Sequence, residues 1–265
     1  MTRRGRLAAL GLAFALGGPA PVPAHAADEE IHTASGRPGV TQSFLLTRPR
    51  TSPVASVILL AGGDGVVALA PDGPTRLQGN FLVRTRQQFA NEGLLVAVLD
   101  APSDRPGLWN FRTTAEHAAD LKAAIAALRE IANVPVWLVG TSMGTLSAAS
   151  AAARLKEGGP DGIVLTSSVS EISRQSGESV RHVALADIRV PVLIVHHRHD
   201  GCRASPYAWA ADMPRALKRA PAKEVLTYEG GRPPISDPCE AKSAHGYLGL
   251  EAQVVSAIGA WIRAH

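Results

Sequence analysis

"VPVWLVGTSMGTLSAAS", residues 134–150, decides how the chain is read. A short, continuous apolar run ends in Gly140-Thr141-Ser142-Met143-Gly144, and small residues follow. Such a run reads as a strand buried on both faces. The alanines, serines and threonine after it read as a helix able to pack close against a sheet. A serine between two glycines at that junction fits a sharp strand-to-helix elbow. The serine there takes a strained backbone conformation, and side chains at the flanking positions would crowd the turn. An ordinary strand-to-helix loop is the plainer alternative, and the rest of the chain separates the two.

Four further apolar runs resemble the first: residues 56–63, 94–100, 162–168 and 190–197. "SFLLTRP" (43–49) and "KEVLTYEG" (223–230) read as strands at the two ends of the same sheet. Helical patterns fall between them at 114–132, 143–159, 206–220 and 249–264. In the first of these, Ala118, Leu121, Ile125 and Leu128 share one face. Alternating strands and helices of this kind predict an α/β fold with a mainly parallel central sheet and helices on both faces. Residues 170–189 leave room for little or no lid. Repeats and low-complexity tracts are absent from the sequence.

The first 26 residues read differently. "MTRRGRLAALGLAFALGGPAPVPAHA" has three arginines, an apolar run from Leu7 to Leu16, and Ala24-His25-Ala26. That order predicts a secretory signal peptide over 1–26, whose apolar run is well short of the ~20 residues a membrane span needs. Arg3-Arg4 leaves twin-arginine and ordinary export both open. A loose polar leader is expected over 27–42, with the folded domain over 43–265. Export predicts a periplasmic or secreted protein with no stable membrane insertion once the signal is removed. The formal charge of +4 owes three units to Arg3, Arg4 and Arg6, leaving 24 basic against 23 acidic residues in the mature chain. With that balance, and no basic stripe with interleaved aromatics, nucleic-acid binding is not expected. The two cysteines, Cys202 and Cys239, read as a disulfide in an exported protein.

A serine hydroxyl is a weak nucleophile unless a base takes its proton, and the base needs an acid to orient it. On a parallel sheet those partners belong on loops after later strands, in the order serine, acid, histidine. Asp200 follows the strand "VPVLIVHH", and His245 precedes the last helix, so Ser142, Asp200 and His245 have that order. Asp187 precedes a strand rather than following one, and no strand leads into Asp237. A tetrahedral oxyanion also needs a pair of backbone N–H donors. Met143, after the serine, is one. The glycine-rich "AGGDG" (61–65) supplies the other, at Gly63 or, failing that, Gly62.

On "GTSMG", "HHRHDGC", "SAHGY" and the strand-helix order, residues 43–265 resemble the α/β-hydrolase superfamily, in the compact form of small secreted esterases of the cutinase and dienelactone-hydrolase type. The resemblance implies an eight-stranded sheet and serine hydrolysis through an acyl-enzyme, with no cofactor or metal. Two departures stand out. Many relatives have His-Gly where this chain has Ala61-Gly62, and dienelactone hydrolases use cysteine where this chain has Ser142. The favoured substrate is a carboxylic ester, small or polymeric; a peptidase or amidase, or a silent scaffold used for binding, are the alternatives. Oligomeric state is left open.

Other residues are read from their place along the chain. The loops "APSDRPGLWNFR" (101–112) and "GNFLVRTRQQFA" (79–90) are both expected to border the site. Trp109 and Phe111 would line a pocket there. Arg84 would meet a substrate carboxylate or else pair with Asp100 or Asp104. His196, His197 and His199 invite a metal reading, but without a further ligand they fit better as core or loop histidines.

Overall fold

The computed structural model describes residues 1, 29–172 and 177–265. The expected signal segment, Met1 apart, lies outside the described residues. Eight strands form one sheet: β1 (Glu29–Ser35), β2 (Thr41–Thr47), β3 (Ala55–Leu60), β4 (Leu94–Leu99), β5 (Val136–Thr141), β6 (Gly162–Thr166), β7 (Val192–His197) and β8 (Lys223–Tyr228). Their spatial order is β1-β2-β4-β3-β5-β6-β7-β8. β1 and β2 pair antiparallel, as do β2 and β4, and all other pairs are parallel. The helices are α1 (Phe81–Asn91), α2 (Ala115–Ile131), α3 (Gly144–Arg154), α4 (Tyr207–Asp212) and α5 (Glu251–Ala264).

The unbroken apolar runs have a direct cause: the central strands are covered on both faces. Side chains alternate along a strand, so Ile58 and Leu60 of β3 join one core with α2 and α3. Val57 and Leu59 join the opposite core with α1 and α5. Every residue of β3, β4, β5, β6 and β7 is buried. Full burial of one such aliphatic side chain contributes about 1.5–3 kcal/mol, which the ordering of the chain largely offsets.

Four elements differ from the sequence reading. Residues 29–35, expected within a loose leader, form the edge strand β1, paired with β2 from Glu29–Thr47 to Ser35–Thr41. The strand around 43–49 is therefore second from the edge. The segment around 79–90, read as a loop, is helix α1. Asn80 caps it by accepting the Leu82 N–H (3.1 Å), and Phe81, Leu82, Thr85 and Phe89 form its buried stripe. The pattern at 206–220 breaks after α4 into a 3₁₀ turn, Met213–Arg215, because Pro214 lacks the N–H an α-helix would use. α3 also stops at Arg154, short of the glycine pair at 158–159, where Leu155 turns extended. Between β6 and β7 the described residues hold two 3₁₀ turns, Val180–His182 and Leu185–Asp187. No helix among the described residues is long and apolar enough to cross a membrane.

Candidate active site

Ser142 sits where β5 ends and α3 begins, with φ of 53°, a left-handed conformation that costs a non-glycine residue about 1–2 kcal/mol. Its neighbours over-determine that strain. The Ser142 N–H donates to the Thr166 carbonyl (3.0 Å), and its own carbonyl accepts from the Thr145 N–H (3.1 Å) and hydroxyl (2.6 Å). The flanking glycines are needed for space. A Cβ on Gly144 would lie 2.0 Å from the Leu60 carbonyl oxygen, and one on Gly140 would lie 2.4 Å from that of Gly144. The helix start is thus wedged against the end of β3, and no side chain fits between.

Asp200 follows the C-terminal end of β7, and its side chain is fully buried. One carboxylate oxygen accepts the Cys202 N–H at 2.9 Å. The other accepts from His245 Nδ1 at 2.8 Å and lies 3.4 Å from His196 Nε2. Burial by itself raises the pKa of this carboxyl, but hydrogen bonds from His196 and His245 outweigh it and hold the group at about 2. The carboxylate therefore stays ionised and keeps a proton on His245 Nδ1. That leaves His245 Nε2 as the basic nitrogen, and this atom is buried without a hydrogen-bond partner.

The loop carrying His245 is held from several sides. Ser243 Oγ accepts the His245 N–H (3.2 Å), Ser167 Oγ donates to the His245 carbonyl (2.8 Å), and Arg84 donates to the Gly246 carbonyl (2.5 Å). Tyr247, buried with φ of 56°, turns the chain into α5 and donates its hydroxyl to the Val195 carbonyl at 2.8 Å.

Ser142 and His245 line one cleft of about 390 Å³, together with Gly62, Gly63, Leu77 and Phe81. Gly63 has φ of 58°, and a Cβ on Gly62 would lie 2.9 Å from that of Ser142, so the loop runs directly over the serine. Met143 is the residue immediately before α3, where helix geometry leaves N–H groups without intrahelical partners.

Trp109, Phe111 and Arg84, expected to face substrate, do not line this cleft. Trp109 is 39% exposed, and Phe111 packs against Arg105, Arg37 and His117. Arg84 pairs with Glu251 (2.9 Å) and the Gly79 and Gly246 carbonyls, and with neither Asp100 nor Asp104. Asp100 instead accepts the N–H groups of Val67, Ala68 and Leu69, while Asp104 pairs with Arg37. Asp187 pairs with Arg219 on the surface.

Cys202 and Cys239 form a disulfide, with 37 residues of sequence separation. It ties the Asp200 loop to the segment leading into His245, and Cys239 forms part of the cleft wall. Closing a loop of this length removes about 4 kcal/mol of unfolded-state entropy in the chain-entropy picture. Reduction is expected to lower the melting temperature by roughly 10 °C, read by thermal denaturation with and without reductant. An unchanged transition would mean that the crosslink carries no stability.

His196 and His197 are anchored to different backbone carbonyls, and His199 is joined to His197. His196 is buried, with Nε2 3.0 Å from the Ser205 carbonyl; His197 Nε2 meets the Gly230 carbonyl, and its Nδ1 accepts the His199 N–H. Among the described residues, no three His, Cys, Asp or Glu side chains gather as a metal site. Sequence reasoning missed His196 as a partner of Asp200, although its i, i+4 spacing across a strand end was visible. It also missed Arg112, buried in a loop with no periodicity to mark it.

The sheet order and the strand-to-helix elbow define an α/β-hydrolase fold, and solved structures of that fold cover nearly the whole chain. Esterase Pf2001 of Pyrococcus furiosus matches 90% of this chain and 93% of its own, at 15% identity and a TM-score of 0.63. XC6422 of Xanthomonas campestris, described as an α/β serine hydrolase without a lid, matches 89% and 94%, at 14% identity and a TM-score of 0.60. A dienelactone hydrolase of Anabaena variabilis matches 91% and 99%, at 15% identity and a TM-score of 0.61. At the sequence level, no family model and no curated protein matches.

Proposed function

We propose that this protein is an exported serine hydrolase that cleaves carboxylic esters through an acyl-enzyme. Ser142 is the nucleophile, His245 the general base, and Asp200 the residue that orients and stabilises the imidazole. His245 Nε2 takes the Ser142 proton as Oγ bonds to the ester carbonyl carbon. The Met143 and Gly63 N–H groups stabilise the resulting oxyanion. Collapse of the intermediate breaks the bond to the alcohol oxygen, which leaves with the proton from His245. Water, deprotonated in turn by His245, attacks the acyl-enzyme, releases the acid and restores Ser142.

The observation that carries this reading is a strained serine sharing a cleft with a histidine whose remote nitrogen is held by a buried carboxylate. An ester is favoured over an amide because an alkoxide is a better leaving group than an amide anion. Export rests on the signal-like leader, with which the Cys202–Cys239 disulfide is compatible. The test is turnover of p-nitrophenyl acyl esters beside the matching p-nitroanilides by disulfide-intact protein. Ester cleavage well above anilide cleavage is the expected result. Faster anilide cleavage would replace the esterase reading with an amidase one, and no turnover of either would contradict both.

A further inference from the structure

The loop over Ser142 rests on a buried cation. Arg112 is 1% exposed, and its guanidinium donates to the carbonyls of Ala61 (3.0 Å) and Gly63 (3.1 Å). A third bond goes to Ser147 Oγ (2.9 Å). It makes no carboxylate contact within ion-pair distance among the described residues. Burial lowers its pKa to about 10, with Glu178 and Asp64 opposing the shift only through space. A buried charge held by neutral acceptors costs stability, so its place in the fold calls for a role.

The geometry of the loop supplies one. The Gly62 carbonyl accepts the Gly65 N–H at 3.1 Å, and the peptide bonds are trans. In a trans peptide the N–H points opposite to the carbonyl. The Gly63 N–H is therefore directed away from the turn interior, and Gly63 lines the cleft. Arg112 holds the carbonyls on both sides of that peptide. Its other arm reaches Ser147 on α3, four residues after Met143, and Ser147 is braced by His117 Nε2 at 2.9 Å. One side chain thus links the loop bearing Gly63 to the helix whose start bears Met143. Gly65 leaves room for it: a Cβ there would lie 2.7 Å from Arg112 Nη2.

We infer that Arg112 is a positioning residue that sets the aim and separation of the two oxyanion donors, Gly63 N–H and Met143 N–H. The inference rests on the proposed serine-hydrolase reading. It assigns Arg112 no contact with substrate.

The test compares wild type, Arg112→Met, Arg112→Lys and Ser147→Ala as full chains with the disulfide intact. Each is titrated with a fluorophosphonate, so that kcat is expressed per reactive Ser142. With p-nitrophenyl butyrate, Arg112→Met is expected to lose about 100-fold in kcat, at the lower end for an oxyanion donor, with KM within about threefold. Arg112→Lys, which keeps one charged donor group, recovers part of that loss. A purely structural role would reduce the titratable fraction but leave kcat per site and KM as in wild type. That outcome overturns the inference while leaving the hydrolase reading intact. Should Arg112→Met fail to fold, Arg112→Lys and Ser147→Ala decide: kcat per site within twofold of wild type in both overturns the inference. Wild type that does not label at Ser142 overturns the reading and the inference together.

Discussion

Ser142→Ala is expected to lower ester turnover by about 10⁵–10⁶-fold, the scale seen when a serine hydrolase loses its nucleophile. The cleft, His245 and both proposed oxyanion donors remain, so binding of the ester is expected to change little. A second variant separates chemistry from backbone strain. Both alanine and serine are strained at φ of 53°, whereas glycine is not. Ser142→Gly is therefore expected to be as inactive as Ser142→Ala but more stable by about 1 kcal/mol, read by chemical denaturation. Equal stability of the two variants would remove the case for a strained elbow. Retained activity in either would remove Ser142 from the reaction.

Asp200→Asn is expected to cost about 10⁴-fold in kcat, although the side chain barely changes shape. The carboxylate faces only donors: the Cys202 N–H on one oxygen, and His245 with His196 on the other. An asparagine has one acceptor oxygen and sets an NH₂ group against another donor. The arrangement is relieved when His245 moves its proton to Nε2, which then offers a proton rather than the lone pair that a general base needs. The same carboxylate also shapes acid stability. Its folded pKa of about 2 lies below the ordinary value near 4, so its contribution is present above pH ~4 and is lost as the pH falls through 2. Acid unfolding of Asp200→Asn is expected to lack that part of the pH dependence. A kcat within tenfold of wild type would show that the imidazole is oriented by something other than Asp200.

Much of this arrangement was legible in the sequence because it depends on local pattern. Buried parallel strands announce themselves as short apolar runs, and the elbow as two glycines about a serine at the end of one. The positions of Asp200 and His245 follow from the strand order, since both lie on loops that face the same end of the sheet. What lay beyond reach depends on tertiary contact. β1 reads as a polar leader because it is an edge strand whose side chains are largely solvated, and only its pairing with β2 defines it. The buried stripe of α1 is interrupted by Arg84 and Arg86, which turn outward to Glu251 and Glu29. Trp109 and Phe111 follow a strand end, as cleft residues do, yet the chain turns them away toward solvent and toward Arg105. Arg112, three residues beyond Trp109, goes inward instead. Nothing in a single sequence distinguishes a buried arginine from a surface one.

Whether Ser142 is an activated nucleophile is read out by its reaction with a fluorophosphonate. The reagent is added to folded, disulfide-intact protein, and the adduct is located by mass spectrometry. One adduct is expected, on Ser142, formed in wild type and lost in His245→Ala. A folded protein that remains unlabelled, or that labels elsewhere, would contradict it.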